Sequence, residues 1–204
     1  MIFSDLTAIH LDALREISNI GMGHAATALG QMIGCKVQLR VPRVSVAALG
    51  EVPDLIGGAD KLVVGVYLKI FGDARGNILL IFPRQSATRL IQLLVPDEGA
   101  SREGLLTEKS ASALREIGNI LASSYLSAMG SLLCLTLIPS VPSVAFDMAG
   151  AIVDYTLAEL GKEGDTTLVI ETEFLGEPHL QGHFFVLPDP RSLDVLLKAG
   201  KVFE

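Results

Sequence analysis

Asp12-Ala13-Leu14-Arg15-Glu16-Ile17-Ser18-Asn19 decides how this chain is read, because it is written a second time as Ser112-Ala113-Leu114-Arg115-Glu116-Ile117-Gly118-Asn119, 100 positions on. Both copies set Glu three positions before Asn, and both reach a proline 23 positions after the Asn, at Pro42 and Pro142. A spacing held over so long a window points to an internal duplication. The chain therefore reads as two related halves, each with its own polar helical row.

Working outward, Leu6-Thr7 and Leu106-Thr107 precede the two copies at matching positions. Threonine is a good helix N-cap, and Glu108 suits the positive end of a helix. Apolar and small residues then recur at helical spacing (Ile9, Leu14, Ile17, Gly21, Ala25, Ala28, Met32), which predicts an amphipathic helix over 8–33 and its copy over 108–133. Glycines inside a helix cost about 1 kcal/mol each relative to Ala, so Gly30 and Gly130 at matching positions imply close approach by another backbone.

Past the first helix, Lys36–Val41 alternates strictly and reads as a strand with one wet face. Pro42 interrupts it, Val44–Leu49 resumes as an edge strand, and Glu51–Lys61 reads as loop. Leu62–Phe71 and Asn77–Phe82 form a hairpin about Gly72–Gly76, followed by a helix over about Gln85–Val95. In the second half, the same reasoning gives a strand over Leu135–Ile138, punctuation at Pro139 and Pro142, and a helix over Met148–Glu159. A strand pair over Thr166–Leu175 and Leu180–Leu187, joined through Gly176-Glu177-Pro178, leads to a last helix near Ser192–Lys198. The expected fold is α+β: internally duplicated and pseudo-twofold, with one shared, largely antiparallel sheet packed by long helices in an α/β/α sandwich. A single domain would span 1–204, built from repeats of about 1–100 and 101–204.

Composition narrows the function. Half of the 204 residues are hydrophobic, 19% are charged and the net charge is −7, which fits a well-packed domain and disfavours nucleic acid. The uncharged run Gly118–Phe146 is long enough to test for a membrane span. It carries five serines and threonines before Pro139, and its counterpart in the first half runs into Lys36 and Arg40, so it reads as a core helix. Cys35 and Cys134 follow the two helices and read as small buried thiols. No secretory signal pattern opens the sequence, so a reducing, cytoplasmic setting is expected.

Positions i, i+4 and i+7 share a helix face, so Asp12, Glu16 and Asn19 form one row, continued by Gly23 and, in the copy, by Ser123. With the apolar stripe opposite, the row faces solvent. Neither Glu nor Asn is a nucleophile of the Ser-His kind, and no paired base stands beside a Ser or Cys. A carboxamide has one acceptor and two donor hydrogens, so it can hold and aim a water, as the water-orienting Gln of GTPases does. A neighbouring carboxylate can grip a cation on a docked partner. That chemistry suits hydrolysis of a bond already activated on another protein.

The full pattern (Asp or Ser, three residues, Glu, two residues, Asn, twenty-two residues, Pro) resembles the signature of the CheC-type chemotaxis phosphatases, a family that includes CheX and FliY. It is met twice, by Asp12, Glu16, Asn19, Pro42 and by Ser112, Glu116, Asn119, Pro142. The resemblance implies dephosphorylation of the phospho-aspartyl response regulator CheY, with Asn19 and Asn119 aiming the water and Glu16 and Glu116 pairing with a lysine of the regulator. Asp12 and Ser112 would support the helix surface, and Pro42 and Pro142 would shape the fold. It implies no cofactor or metal of the chain's own, the Mg²⁺ lying in the regulator. It further implies binding of the receptor deamidase CheD, with Asp147 in Phe146-Asp147-Met148 as a candidate contact. The alternatives are an adaptor for CheY or CheD with little turnover, or a flagellar switch component. His179 and His183 lack the companions of a metal site, and Gly21-Met22-Gly23 lies mid-helix, where no phosphate loop forms. His10 and His24 read as ordinary helix residues.

Overall fold

A computed structural model describes residues 6–96, 107–160, 166–176 and 180–200. In chain order the elements are α1 (Ala8–Ile33), β1 (Val37–Ala48), α2 (Val52–Leu55), β2 (Leu62–Gly72), β3 (Gly76–Pro83) and α3 (Arg84–Leu94). The second half gives α4 (Glu108–Leu133), β4 (Leu137–Pro139), β5 (Ser143–Met148), α5 (Ala149–Leu160), β6 (Thr166–Gly176), β7 (His183–Pro188) and α6 (Pro190–Ala199).

The two long helices begin on their threonines as expected. Thr7 Oγ1 accepts the His10 N–H at 3.5 Å, and Thr107 Oγ1 accepts the Ser110 N–H at 3.1 Å. His10 is more than an ordinary helix residue, since its Nδ1 accepts the Thr7 N–H at 3.2 Å and closes a reciprocal cap. Both helices end on a left-handed residue, Gly34 (φ 70°) and Cys134 (φ 56°). That position turns Cys134 out to solvent and leaves Cys35 half-buried, so the expected pair of buried thiols does not form. The expectation for Gly30 and Gly130 holds: a Cβ would lie 3.0 Å from the Cys35 carbonyl and 2.5 Å from the Leu135 carbonyl, where the chain folds back on each helix. Gly23, by contrast, faces open space.

The sheet is antiparallel at every pairing, in the order β1-β6-β7-β3-β2, with β4 and β5 both lying along β2. The central pair β3–β7 joins one strand from each half, which places a pseudo-twofold between them. The first strand of each half is exchanged: β1 pairs with β6 of the other half, and β5 pairs with β2. On one face, α1, α4, α3 and α6 cover a core that includes Leu14, Tyr125, Leu90 and Leu193 with Leu80 and Phe184 of the sheet. On the other, α2 and α5 cover Leu79, Ile81, Phe185 and Leu187. This is the α/β/α sandwich the duplication implied.

Three local expectations need correction. The segment expected as loop after Glu51 contains α2, because Pro53 fits a first helical turn whose N–H groups need no partner, and Val52 and Pro53 are buried. Pro42 does not end its strand: β1 runs through it as a bulge on the sheet edge. β5 went unforeseen because Pro139 and Pro142 read as loop punctuation, although Val144, Phe146 and Met148 alternate with Ser143, Ala145 and Asp147 along this half-exposed edge strand. The junction at Glu177-Pro178, together with His179, lies outside the described residues.

Candidate active site

Each half brings its polar row to the outer surface of the helical layer. Asp12, Glu16 and Asn19 on α1 are exposed, as are Ser112, Glu116 and Asn119 on α4, while Leu14 and Leu114 point into the core. Below Asn19 an open groove of about 1150 Å³ runs between α1 and α4. Its walls are equivalent residues of the two halves, Gly23 with Ser123, Thr27 with Ser127 and Gln31 with Ser131. Small side chains here leave the carboxamide of Asn19 accessible to a large surface.

The charges around the two glutamates are arranged so that neither is neutralised locally. Arg15 pairs with Asp12, one turn back, and so turns away from Glu16. In the second copy Ser112 offers no charge, and Arg115 reaches back to Glu108 at 2.9 Å instead. Among the described residues, neither Glu16 nor Glu116 has an ionic partner. In the first copy the arginine next to the glutamate is thus engaged by Asp12.

The long spacing from Asn to Pro has a physical basis in the first half. The β1–β6 register passes from Arg40–Glu173 to Arg43–Glu171, so Val41 and Pro42 share the place opposite Thr172. Proline has no N–H to give, and the bulge it occupies frees the Val41 N–H from the ladder. That N–H donates to Asn19 Oδ1 at 3.0 Å. A backbone N–H can meet only the oxygen end of a carboxamide, so the orientation of Asn19 is determined. One Oδ1 lone pair and both Nδ2 hydrogens stay available.

The second half solves the same problem differently. Its strand is broken outright between β4 and β5, and Ser140 pins the gap to β2, donating N–H to the Lys69 carbonyl at 2.8 Å and accepting the Lys69 N–H at 2.9 Å. Pro142 is buried, but Val141, the counterpart of the 2% exposed Val41, is 84% exposed. Asn119 Oδ1 accepts from the Ser123 hydroxyl at 3.4 Å. These two supports for Asn were missed at the sequence level; the exchange of Gly23 for Ser123 was the visible trace of one.

Behind the sites, Tyr125 ties the helices together. Its hydroxyl donates to Ser18 Oγ at 3.4 Å, and its ring sits where a Cβ on Gly21 would fall. Burial pushes its pKa up to about 12, against the smaller opposing pull of the Ser18 hydrogen bond. On the opposite face of the molecule Asp147, at the end of β5, is exposed, its carboxylate accepting the Met148 N–H at 2.7 Å. The structure thus sets Asp147 apart from both polar rows. His183 lies 3.7 Å from Glu171 and stacks on Phe185; no metal-ligand cluster occurs among the described residues.

The CheC-like family model matches residues 9–46 and 110–145, the two stretches that carry the rows and their prolines. The CheY-P phosphatase CheC of Bacillus subtilis (strain 168) is 38% identical over 202 residues, 97% of either chain. The chain belongs to the CheC-like family. Among solved structures, FliY of Thermotoga maritima aligns with this CheC-like chain at a TM-score of 0.76 and 21% identity, covering 98% of this chain and 100% of that one. A CheX in complex with CheY, BeF₃ and Mg²⁺ from Borrelia burgdorferi aligns at 0.54 and 14%, covering 82% and 94%. Both share the fold of this CheC-like chain.

Proposed function

We propose that this CheC-like chain is a phosphatase that removes the phosphoryl group from the aspartyl phosphate of a CheY-type response regulator. The observation that carries the reading is the pair of exposed rows in which Glu has no local counter-charge and Asn is held by its oxygen end. A docked regulator would offer its lysine to Glu16 or Glu116, where a charge-assisted pair fixes the orientation of the two proteins. The neighbouring carboxamide then reaches the acyl phosphate. Its free lone pair accepts a hydrogen bond from one water, turning the water's own lone pair toward phosphorus in line with the aspartyl oxygen; as the water oxygen bonds to phosphorus, its protons stay with the phosphate. The P–O bond to the aspartyl carboxylate breaks, the carboxylate leaves, and inorganic phosphate is released. Such catalysis is mostly positioning, because acyl phosphates need little covalent help. The divalent cation belongs to the regulator's own acidic pocket, and this chain contributes no ligand to it.

Loss of acyl phosphate from phosphorylated CheY tests the reading directly. Asn19→Ala and Asn119→Ala each lower the rate, and the double variant falls to the regulator's own rate of hydrolysis. A double variant as active as the parent ends the assignment. We assign the receptor deamidase CheD as a second partner, docked at the exposed Asp147 on the face away from both rows. Co-purification with CheD that survives Asp147→Arg would remove that contact. The reaction belongs in the cytoplasm, and among the described residues no helix is long and apolar enough to cross a membrane.

A further inference from the structure

Position 23 and position 123 are equivalent, yet one is glycine and the other serine, and the difference falls where the two sites are supported differently. In the first half the Val41 N–H holds Asn19. In the second, the equivalent strand is broken between β4 and β5, Ser140 pins the gap to Lys69 of β2, and Val141 stands in solvent. A hydroxyl one turn below Asn119 then takes over. Hydroxyls at such helical positions usually donate to the carbonyl four residues back. Thr27 does so to Gly23 at 2.9 Å, and Thr156 to Ile152 at 3.0 Å. Ser123 gives its hydrogen to the side-chain oxygen of Asn119 instead.

We infer that Ser123 is a positioning residue of the second site, doing for Asn119 what the Val41 amide does for Asn19. At 3.4 Å the bond is long, and supporting contacts of this kind commonly tighten when a partner covers the site. The consequence is an asymmetry of kind. Site one is held by backbone and is oriented before docking. Site two is held by a rotatable hydroxyl, and its carboxamide gains its orientation in the complex. This inference rests on the phosphatase reading above.

The test uses the full chain carrying Asn19→Ala, so that only the second site turns over, with phosphorylated CheY as substrate. Adding Ser123→Ala lowers kcat about five-fold, the effect of losing one modest hydrogen bond, with KM within two-fold of the parent. Ser123→Cys keeps the size but is a poor donor and loses as much. Ser123→Thr retains the hydroxyl and restores kcat to within about two-fold, as the same hydrogen bond is available. A role in shape alone predicts the reverse order, Cys tolerated and Thr harmful, and that order overturns the inference. So does a Ser123→Ala rate equal to the parent's. The Asn19→Ala, Asn119→Ala double variant separates the two levels. If it is inactive while Ser123→Ala is unaffected, only the role of Ser123 falls; if it is active, the phosphatase assignment falls with it.

Discussion

Asn19 and Asn119 occupy equivalent positions but are not equally built into the fold, and stability exposes this independently of catalysis. Asn19→Ala leaves the Val41 N–H, in a residue only 2% exposed, without its partner. Such an orphaned donor costs about 1–2 kcal/mol. Asn119→Ala removes a contact to an exposed hydroxyl that water replaces, so stability changes by less than about 0.5 kcal/mol. Urea-unfolding midpoints of the two single variants check the difference; equal losses would contradict the clamp. Asn19→Asp separates holding from aiming, since it keeps the acceptor for Val41 but loses the donor hydrogens and sets a negative charge beside a phosphate. Its expected profile is near-parental stability with the first site's turnover lowered at least ten-fold, as for a lost charge-stabilising donor. The residue scale was partly legible in the sequence. Glu16, Asn19 and Pro42 stood out because the chain repeats them. The reason for the proline did not, because a bulge is a property of two paired strands, and the partner strand lies over 100 positions away.

Helices were the most legible elements, for the duplication tested each periodicity twice and supplied matching caps. β5 and α2 were not: one is an edge strand with solvent on it, the other a single turn defined by where Val52 and Pro53 are buried. The repeat singled out Gly30, but of Gly21 and Gly23 the sequence could not say which one packs. A Cβ on Gly21 would lie 2.7 Å from the Tyr125 ring, while one on Gly23 meets nothing within 4 Å. Gly21→Ala therefore overpacks the α1–α4 contact and destabilises by about 1–3 kcal/mol. Gly23→Ala gains helix propensity and stabilises by about 0.5–1 kcal/mol. Thermal melting of the pair reads both signs. Tyr125 also makes that contact pH-sensitive. Its folded pKa, about 12, lies above the value near 10 of an exposed tyrosine. The folded state therefore keeps a proton that the unfolded state releases. Its contribution is complete below pH 10 and is lost as pH rises toward 12, by about 1.4 kcal/mol per unit. The parent minus Tyr125→Phe difference in unfolding free energy should fall across that window and be flat between pH 7 and 9.

At the scale of the molecule, the decisive feature is the exchange of first strands between the halves. A sequence reading finds two repeats but not how they interlock, because pairing partners are set by three-dimensional register. Had each half paired its own strands, the repeats would be two small domains with a docking interface. Instead β1 completes its ladder only on β6, from Val37–Gly176 to Ala48–Thr166, and β5 completes its own only on β2. An isolated first half would expose the edge of β2 where β4 and β5 belong and leave β1 with no strand beside it. The half would also lose the cover of α4 over α1, where Tyr125 and Met129 meet Gly21. Unpaired edges and uncovered apolar faces of this size are not offset in a fragment of about 100 residues. Fragments 1–100 and 101–204 produced separately should therefore lack a cooperative melting transition. Mixed in equal amounts, they should regain the parental circular dichroism spectrum, together with phosphatase activity from both sites. A first fragment that melts cooperatively on its own would show that strand exchange does not hold the two sites in one body. The inequality of Asn19 and Asn119 would then have to be explained within each half.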